Sequence, residues 1–525
     1  MKTIAIVIGK NNASAKQRPA VSQCCVRAAE NTMCSLRCGV ATLAVGAALV
    51  VLTSVLGYVV VPNVVRSMII GEVVLKNDTI QMERFQELPF PVNFTIRIFN
   101  MSNSEDVLIG AVPALQELGP WVYRLYQSRE IVSVQGDMLR YRRHERFEFD
   151  AVASYPRTED DLVTIVNVPY NAIIQIAESL YPQLVPALAV ALRGVFGEHA
   201  APVMTVRVRD LLLGGLRLCV GGGVGLVAAV ACSVIRSIGA TAQNLEIMDD
   251  GSVVFSVLAY KENYPSAEYE VHRGLDDPSD LGRITSLGGK PFFDYWMDET
   301  DAGADDGPRG SVCNMINGTD AGIFPPFVQR DQAIYAINTD ICRSVRLRYQ
   351  YDTQYEGIPA LRVATDEGLL ADAEGCFCLN VTRGGKPHLN RPSGCLLPGA
   401  MELYTCVGAF LVVSYPHFLF ADPVYRTGVL GLTPDVENHR IFMDIEPNTG
   451  TPIRGAKRAQ FNIFLRPVAG ISATQELRNA LVPFMWFEEG ISLPEEFVEE
   501  LSSRLLANLR LVDALVPALV GASAL

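Results

Sequence analysis

The chain has 525 residues, of which 49% are hydrophobic and 19% charged, and its formal net charge is −13. This hydrophobic content excludes an intrinsically disordered chain, and the scarcity of long uncharged segments argues against a multi-pass transporter. The acidic balance argues against a nucleic-acid-binding protein, because phosphate contacts require a basic surface. The length predicts several domains or one large domain with appendages.

The N-terminal segment differs in charge from the rest of the chain. Residues 1–38 carry six basic side chains and one acidic side chain, whereas no charged residue lies between Arg37 and Arg66. The 24 apolar residues 39–62 would form a helix ~36 Å long, enough to cross a hydrocarbon layer of ~30 Å. A buried core helix is the alternative, but a helix that is apolar on every face is more typical of a membrane span.

The basic flank predicts the orientation of this span. Positively charged segments remain on the cytoplasmic side, so we expect residues 1–38 to form a cytoplasmic tail and residues 39–62 a transmembrane helix. An extracellular domain is then expected over residues 63–508. A cleaved signal peptide, the alternative, would need its apolar segment closer to the N-terminus.

After the span, alternating polar and apolar residues at 90–101, 119–134 and 138–150 predict strands. Residues 158–196 predict short amphipathic helices interrupted by prolines. Strand patterns return later, and residues 493–512 predict a helix with acidic residues in its first turn. Together these patterns predict one large α+β domain that is rich in strands.

Half of the 12 cysteines lie within 94 residues. This cluster predicts a disulfide framework formed in an oxidising compartment, although the sequence alone leaves every pairing open. A zinc site is the alternative, but the C-x-C spacing is too short and no neighbouring histidine completes a tetrad. The six residues are Cys313, Cys342, Cys376, Cys378, Cys395 and Cys406.

Sequons for N-glycosylation support an extracellular domain. One sequon, at Asn12, lies in the expected cytoplasmic tail and should stay unmodified. The five on the expected outer side are Asn77, Asn93, Asn100, Asn317 and Asn380.

Motifs for catalysis and metal binding are scarce. The sequence contains no H-E-x-x-H, G-x-S-x-G or Walker A motif, so we expect no catalytic residues, no cofactor and no enzyme activity. The acidic residues at 298–306 lack the order of an EF-hand, which favours a solvated loop over a calcium site. The uncharged run 218–235 could be a second span, but that topology would place the cysteine cluster in the reducing cytosol.

Long motifs of the sequence resemble the class B scavenger receptor family, and more closely its insect branch, the sensory neuron membrane proteins. They are FQELPFPVNFTIRIFNMSNSEDVLIGAVPALQELGPWVYR, INGTDAGIFPPFVQRDQAIYAINTDICRSV, GCFCLN, MELYTCVGAFLVVSYPHFLFAD and DIEPNTGTPIRGAKRAQFNIFL. The resemblance covers roughly residues 40–505. It implies an ectodomain with an antiparallel β-barrel core, an apical helical bundle and a lipid tunnel, anchored by two transmembrane helices.

The resemblance also implies roles for the cysteines. The bridges carried over from the family are Cys313–Cys376, Cys342–Cys406 and Cys378–Cys395. A fourth bridge, Cys219–Cys232, is implied because insect members carry cysteines at these places. The cysteines beside the membrane resemble palmitoylation sites, with unmodified thiols as the alternative. These tail residues are Cys24, Cys25, Cys34 and Cys38.

Three features depart from the family pattern. Residues 509–525 include Asp513 and Pro517 and are short for a span, so we expect an incomplete or divergent second transmembrane segment. The region 181–196 offers only Arg193 where scavenging relatives carry lysines. The Gly-rich segment 221–230 and the acidic loop also look unlike the family.

The resemblance implies a membrane co-receptor in the cilia of olfactory neurons. It would bind a fatty-acid-derived odorant or pheromone and pass it through the tunnel to an odorant receptor complex. An endocytic scavenger receptor for lipids, lipoproteins, apoptotic cells or microbes is the alternative, which a basic apical patch would favour. The expected ligand entrance is the apolar run 173–195, with Arg193 at its solvated rim. Its ligand-contacting residues are expected to be Ile173, Leu184, Leu188 and Leu192.

Overall fold

The structure is a computed structural model that describes residues 32–239, 242–296, 313–371, 377–378, 389–391 and 394–524. The chain separates into two units. One contains the terminal segments, up to Met68 and from Glu500 onward, and the other runs from Ile69 to Glu499.

Helices occupy both ends and several insertions of the described chain. In chain order they are α1 (Thr32–Val55), α2 (Val61–Val73), α3 (Ile80–Gln86), α4 (Ser104–Leu108), α5 (Ala151–Ser154), α6 (Val168–Leu180), α7 (Val185–Phe196), α8 (Leu226–Gly239), α9 (Ala259–Asn263), α10 (Tyr404–Val407), α11 (Val424–Thr427), α12 (Val436–His439), α13 (Glu495–Leu501) and α14 (Ala507–Ala524).

The strands make up most of the larger unit. They are β1 (Val92–Met101), β2 (Leu115–Gln135), β3 (Met138–Phe149), β4 (Leu162–Val166), β5 (Val203–Arg207), β6 (Leu216–Leu218), β7 (Leu245–Ile247), β8 (Val253–Phe255), β9 (Tyr269–His272), β10 (Ile284–Leu287), β11 (Ile334–Asn338), β12 (Arg343–Tyr355), β13 (Ile358–Thr365), β14 (Ala400–Glu402), β15 (Val412–Ser414), β16 (Phe442–Glu446), β17 (Thr451–Leu465) and β18 (Ala480–Ser492).

Two long apolar helices, one from each end of the chain, are long enough to cross a membrane. The first is Gly39–Val73 and the second is Glu495–Ser523. Within the terminal unit the two helices pack closely, because Gly57 has no side chain where Val516 approaches. A Cβ at Gly57 would lie 2.5 Å from Val516 Cγ1. Small residues commonly permit such close packing between membrane helices.

The second apolar helix begins earlier than the predicted boundary at residue 509. A π-helical turn at Ser502–Leu506 joins α13 to α14, so the helix is continuous from Glu495. Glu495 and Glu496 lie in its first turn, where carboxylates interact favourably with the positive end of the helix dipole. Pro517 lies inside α14 rather than ending it.

Within the described part of the chain, the core of the larger unit is an antiparallel sheet of 13 strands. Its main path runs β10-β9-β3-β2-β1-β18-β17-β16-β13-β12-β11, and β15 joins β14 to β17. The strands predicted at 90–101, 119–134 and 138–150 are β1, β2 and β3. The alternating pattern of β1 is confirmed by burial, since one face of this strand carries Phe94, Ile96 and Ile98 into the core.

A two-residue segment joins the two end strands and closes the sheet into a barrel. The Ile284 N–H in β10 donates to the Gly318 carbonyl at 2.9 Å, and the Ile337 N–H in β11 donates to the Thr319 carbonyl at 2.8 Å. Gly318 has a φ of +96°, and a Cβ there would lie 2.0 Å from the Tyr335 carbonyl oxygen. The closure therefore requires glycine at this position.

Three helices and two small sheets form an insertion beside the barrel. β4 pairs with β5, and a three-stranded sheet has the order β6-β8-β7. Asn167 caps α6 by accepting a hydrogen bond from the Tyr170 N–H. The predicted proline break lies between α6 and α7, whose axes differ by 119°. Pro182 and Pro186 both follow this break.

Candidate ligand-binding cavity

An apolar cavity of about 150 Å³ lies between the three helices of the insertion and the barrel side of the molecule. α6 contributes one wall, from Val168 to Ala177, and α7 contributes Ala187 and Leu188. Phe255 of β8 and Leu411, just before β15, line the side toward the barrel core. A hydrocarbon chain that enters such a space gains ~0.8 kcal/mol per buried CH₂ group.

Among the described residues that line the cavity, no side chain is charged. Tyr181 and Asn244 supply its polar side chains. The Asn244 Nδ2 atom donates to the Ser256 and Val257 carbonyls at 3.0 and 2.9 Å. These hydrogen bonds within the protein engage the donor group of this amide. Behind the lining, burial raises the pKa of the Tyr170 hydroxyl to about 12, and this group therefore stays neutral. The cavity is suited to uncharged apolar groups.

The bend between α6 and α7 places apolar residues at the rim of the cavity. Tyr181 and Leu184 lie in this bend, line the cavity and are 37% and 39% exposed. A side chain that touches both the cavity and solvent marks a mouth. By this criterion the bend lies at an opening, and so do Val227 and Val230 of α8, which line the cavity and are 41% and 60% exposed. That the proline-broken segment is the ligand entrance stays a prediction.

The structure brings together three of the five residues expected at the entrance. Ile173, Leu184 and Leu188 line the cavity. Leu192 is outside the lining and is buried in the hydrophobic cluster that holds α7 and α8 together. Arg193 is exposed and also outside the lining. Leu192 is one turn beyond Leu188 on α7, past the end of the cavity.

One wall of the cavity, α8, was missed by the sequence analysis. This helix begins within the run 218–235 and ends at Gly239, and the sequence analysis considered the run only as a possible span, a Gly-rich segment and the site of the Cys219–Cys232 bridge. The signal was present, because the lining residues recur with the i, i+3, i+4, i+7 spacing of an amphipathic helix. They are Val227, Val230, Ala231, Val234 and Ile235.

A disulfide holds α8 to the segment that precedes it. Cys219 and Cys232 are bonded and both fully buried, with their Cα atoms 5.7 Å apart. The bridge closes over the Gly-rich segment, where Gly223 has a φ of +96° and a Cβ would lie 3.0 Å from Cys232 Sγ. A side chain at Gly223 would thus disturb the bridge.

The structure also contains the bridges Cys342–Cys406 and Cys378–Cys395. Both are pairs that the family resemblance implied. Cys313 is disulfide-bonded as well, and its expected partner Cys376 lies outside the described residues.

The remaining expected sites differ in how far the structure describes them. Asn77 and Asn93 are exposed, whereas Asn100 and Asn317 are half-buried. Within the described ranges, no group of three or more His, Cys, Asp or Glu side chains could hold a metal ion. The positions that lie outside the described residues or side chains are Asn12, Cys24, Cys25, Cys34, Cys38, residues 298–306 and Asn380.

Comparison with known proteins places these features in a family. The profile of the CD36 family matches residues 44–525. Sensory neuron membrane protein 2 of Drosophila melanogaster is 33% identical to this chain, and the alignment covers 90% of this chain and 92% of the relative.

Two further relatives show similarity over most of their length. Sensory neuron membrane protein 2 of Anopheles gambiae is 29% identical, with 93% of this chain and 91% of the relative covered. Sensory neuron membrane protein 1 of Pediculus humanus subsp. corporis is 31% identical, with 87% and 84% covered.

Proposed function

The chain belongs to the CD36 family, and from that premise we propose that it is a membrane co-receptor for lipophilic, fatty-acid-derived odorants or pheromones. Membership of this family makes it a membrane receptor of the CD36 and sensory neuron membrane protein type. The observation that carries the finer proposal is the cavity between α6, α7 and α8, which has an apolar lining and a mouth at Tyr181 and Leu184.

The lining favours uncharged ligands. A carboxylate inside the cavity would lose its hydration and would meet no cationic partner among the lining residues that the structure describes. Long-chain esters, alcohols and aldehydes have no such cost, and the Tyr181 hydroxyl can donate a hydrogen bond to an ester or aldehyde oxygen. We expect Ile173, Leu184 and Leu188 to contact the alkyl chain.

The proposed place of action is the cell membrane of an olfactory neuron, in its dendritic cilia. The names of the relatives refer to sensory neuron membranes. The ligand would leave the ectodomain for an odorant receptor complex in the same membrane. The alternative, an endocytic scavenger receptor, would gain from a basic surface at the helical insertion, but Arg193 is the one basic residue of α7.

The proposed orientation has a cytoplasmic N-terminal tail and an extracellular domain. The basic residues of the tail support it. In this orientation the sequons at Asn77, Asn93, Asn100, Asn317 and Asn380 carry glycans. The tail cysteines Cys24, Cys25, Cys34 and Cys38 face the cytoplasmic enzymes that attach palmitate.

Two measurements test the proposal. The full-length protein in lipid nanodiscs should bind a neutral long-chain ester more tightly than the fatty acid of the same length at neutral pH. In cells that also express an odorant receptor, the protein should increase the ester-evoked current. Tighter binding of the acid, or a current that does not depend on the protein, would contradict the proposal.

A further inference from the structure

Two buried histidines stack on each other beside strands β1 and β18. The ring centroids of His417 and His439 are 4.5 Å apart, and the rings are nearly parallel, at 12°. The Phe99 ring of β1 contacts His417, and the Trp486 ring of β18 contacts His439. His417 is 3% exposed and His439 is 6% exposed. A proton taken up by either ring would therefore place a charge in a buried site.

The hydrogen bonds of the two rings hold both of them in the neutral form. The Thr433 N–H donates to His417 Nδ1 at 3.0 Å, and the Asp435 N–H donates to His439 Nδ1 at 2.9 Å. A ring nitrogen that accepts a hydrogen bond carries no proton, so the proton of each neutral ring is on Nε2. The His417 Nε2–H group donates to the Glu117 carboxylate.

Both backbone donors belong to one surface segment, residues 431–438, which we call the cover segment. Thr433 is exposed, as are residues 435–438, whereas His439 at the end of the segment is buried. The Asp435 carboxylate caps α12 by accepting a hydrogen bond from the Asn438 N–H at 2.8 Å. The two histidine rings thus serve as the acceptors that bind the backbone of this exposed segment.

Charged groups of both signs surround the pair. The Glu117 carboxylate accepts a hydrogen bond from Trp486 Nε1 at 3.0 Å and lies 3.4 Å from Arg97 Nε. Arg458 lies against the cover segment, since it donates to the Glu437 carbonyl at 2.9 Å. The charged side chains on the surrounding strands and on the segment are Arg97, Glu117, Arg458, Glu488, Asp435, Glu437 and Arg440.

Acid acts on this pair with a definite sign. Burial, together with the neighbouring His417, lowers the pKa of His439 to about 4. A ring released into water has a pKa of ~6.5, so between these values the released ring binds a proton that the stacked ring does not. A protonated Nδ1 is a donor, and it can no longer accept the hydrogen bond of the Asp435 N–H. Acidification therefore favours release.

We propose that His417 and His439 form a pH-sensitive latch, which holds the cover segment on the barrel at neutral pH and releases it in an acidic compartment. Each neutral ring supplies one acceptor to the closed form, and protonation removes that acceptor. A receptor that moves between the cell surface and acidic vesicles would then present different surfaces in the two places. Both histidines are outside the cavity lining, so the latch is independent of the proposed ligand.

Hydrogen exchange of the full-length protein in lipid nanodiscs tests the latch. Exchange is followed by mass spectrometry at pH ~7 and pH ~5, on peptides that cover the segment. The protection factor divides the intrinsic exchange rate by the measured rate, which removes the ordinary effect of pH on exchange. We expect the protection of the Thr433 and Asp435 amides to fall about 20-fold, because proton binding by His439 alone favours release by this factor.

The hairpin of β12 and β13 is the internal control for the same measurement. These strands contain no histidine, and their protection should be the same at both pH values. Unchanged protection of the cover segment at pH ~5 would overturn the latch. An equal loss of protection in the hairpin and in the cover segment would also overturn it, because the whole domain would then be loosening.

A variant without the two titrating rings gives a second test. The amide oxygen of glutamine can accept a hydrogen bond from an N–H and does not titrate, so His417→Gln with His439→Gln should keep the segment protected at both pH values. His144→Gln is the control, because His144 is 45% exposed and pairs with Glu130, and it should keep the wild-type response. A folded double variant that still loses protection at pH ~5 would show that another group titrates, and would overturn the latch.

Discussion

Gly194 of α7 lies directly against Ala228 of α8. A Cβ at Gly194 would be 2.5 Å from the Ala228 Cβ and 2.6 Å from the Val224 carbonyl oxygen, which is closer than real Cβ contacts come. Glycine at this position therefore sets how closely the two helices approach. Since α7 and α8 both line the cavity, this contact also sets the position of the α8 wall.

Replacing Gly194 by valine should displace α8 and weaken ligand binding. We expect the affinity for a neutral long-chain ester to fall about tenfold or more, because a displaced wall loses contacts along the alkyl chain. Fluorescence displacement measures the affinity, and circular dichroism checks the fold. Gly368→Val is the matched control, since no atom lies within 4 Å of the Cβ position there. Equal losses in both variants would contradict this explanation.

Substitutions on α7 should affect ester binding and stability differently, according to whether the side chain faces the cavity, the solvent or α8. Leu188 lines the cavity, so Leu188→Asp should abolish most ester binding by placing a carboxylate against the alkyl chain. Val190 is on the same helix and 75% exposed, so Val190→Asp should bind normally. Leu192→Asp should lower the melting temperature, because this side chain is buried between α7 and α8. Normal ester binding by a folded Leu188→Asp protein would show that this wall does not contact the ligand.

Removal of the Cys219–Cys232 disulfide should affect both stability and binding. The bonded residues are 13 apart in sequence, and a loop of this length corresponds to ~3 kcal/mol in the chain-entropy model. Replacing both cysteines by alanine should lower the melting temperature and weaken ester binding, since the bridge anchors α8. Removing Cys378–Cys395, with a separation of 17, should lower the melting temperature without weakening binding. If both double variants bind equally, the bridge does not position the cavity wall.

The stability of the protein should decrease as the pH falls below the pKa of an ordinary histidine, ~6.5. Burial, together with the neighbouring His417, lowers the pKa of His439 to about 4, and the two rings stack with centroids 4.5 Å apart. Between pH ~6.5 and pH ~4 the unfolded chain binds a proton at His439 that the folded chain does not, which costs up to roughly 3 kcal/mol. Above that range His439 contributes no pH dependence.

The variant His439→Gln should show a smaller loss of stability over this pH range, measured as the melting temperature of the full chain in detergent. The quantity compared is the slope of melting temperature against pH, not the melting temperature of the variant at neutral pH. His144→Gln is the control, because His144 is exposed and pairs with Glu130 on the surface. A slope that is unchanged in His439→Gln would mean that another group titrates.

Glycosylation tests the orientation of the chain. Asn77 and Asn93 are exposed, so peptide mass spectrometry after glycosidase treatment should find both occupied. Asn100 is half-buried, which should reduce its occupancy relative to Asn77 and Asn93. A glycan at Asn12, or none at Asn77 and Asn93, would contradict the proposed orientation.

Local patterns in the sequence predict the individual strands and helices, but they do not predict that the sheet closes into a barrel. The alternation in β1 and the prolines around Pro182 predict a strand and a break between helices because each depends on neighbouring residues. The barrel closure at Gly318 and Thr319 depends on Ile284, which lies 34 residues before Gly318, and on Ile337, which lies 18 residues after Thr319, and no local periodicity predicts these contacts. The family resemblance supplied the barrel instead.

The cavity could be predicted only in part, because local patterns identify its helices but not how these helices pack. The apolar run from 173 to 195 identifies α6 and α7, but the end of the cavity between Leu188 and Leu192 is set by how α8 packs against them. The spacing of Val227 and Ala231 indicates an amphipathic face, although it cannot tell whether that face covers a cavity or a solid core.

The closure of the barrel also restricts how this protein can recognise another macromolecule. An open sheet exposes unpaired N–H and C=O groups, to which a partner can add a strand of its own. Here the groups of Ile284 and Ile337 that would serve as such a template are already bonded to Gly318 and Thr319. A receptor that contacts this part of the sheet must therefore recognise side chains, whose complementarity can change by point substitution while the backbone framework stays the same.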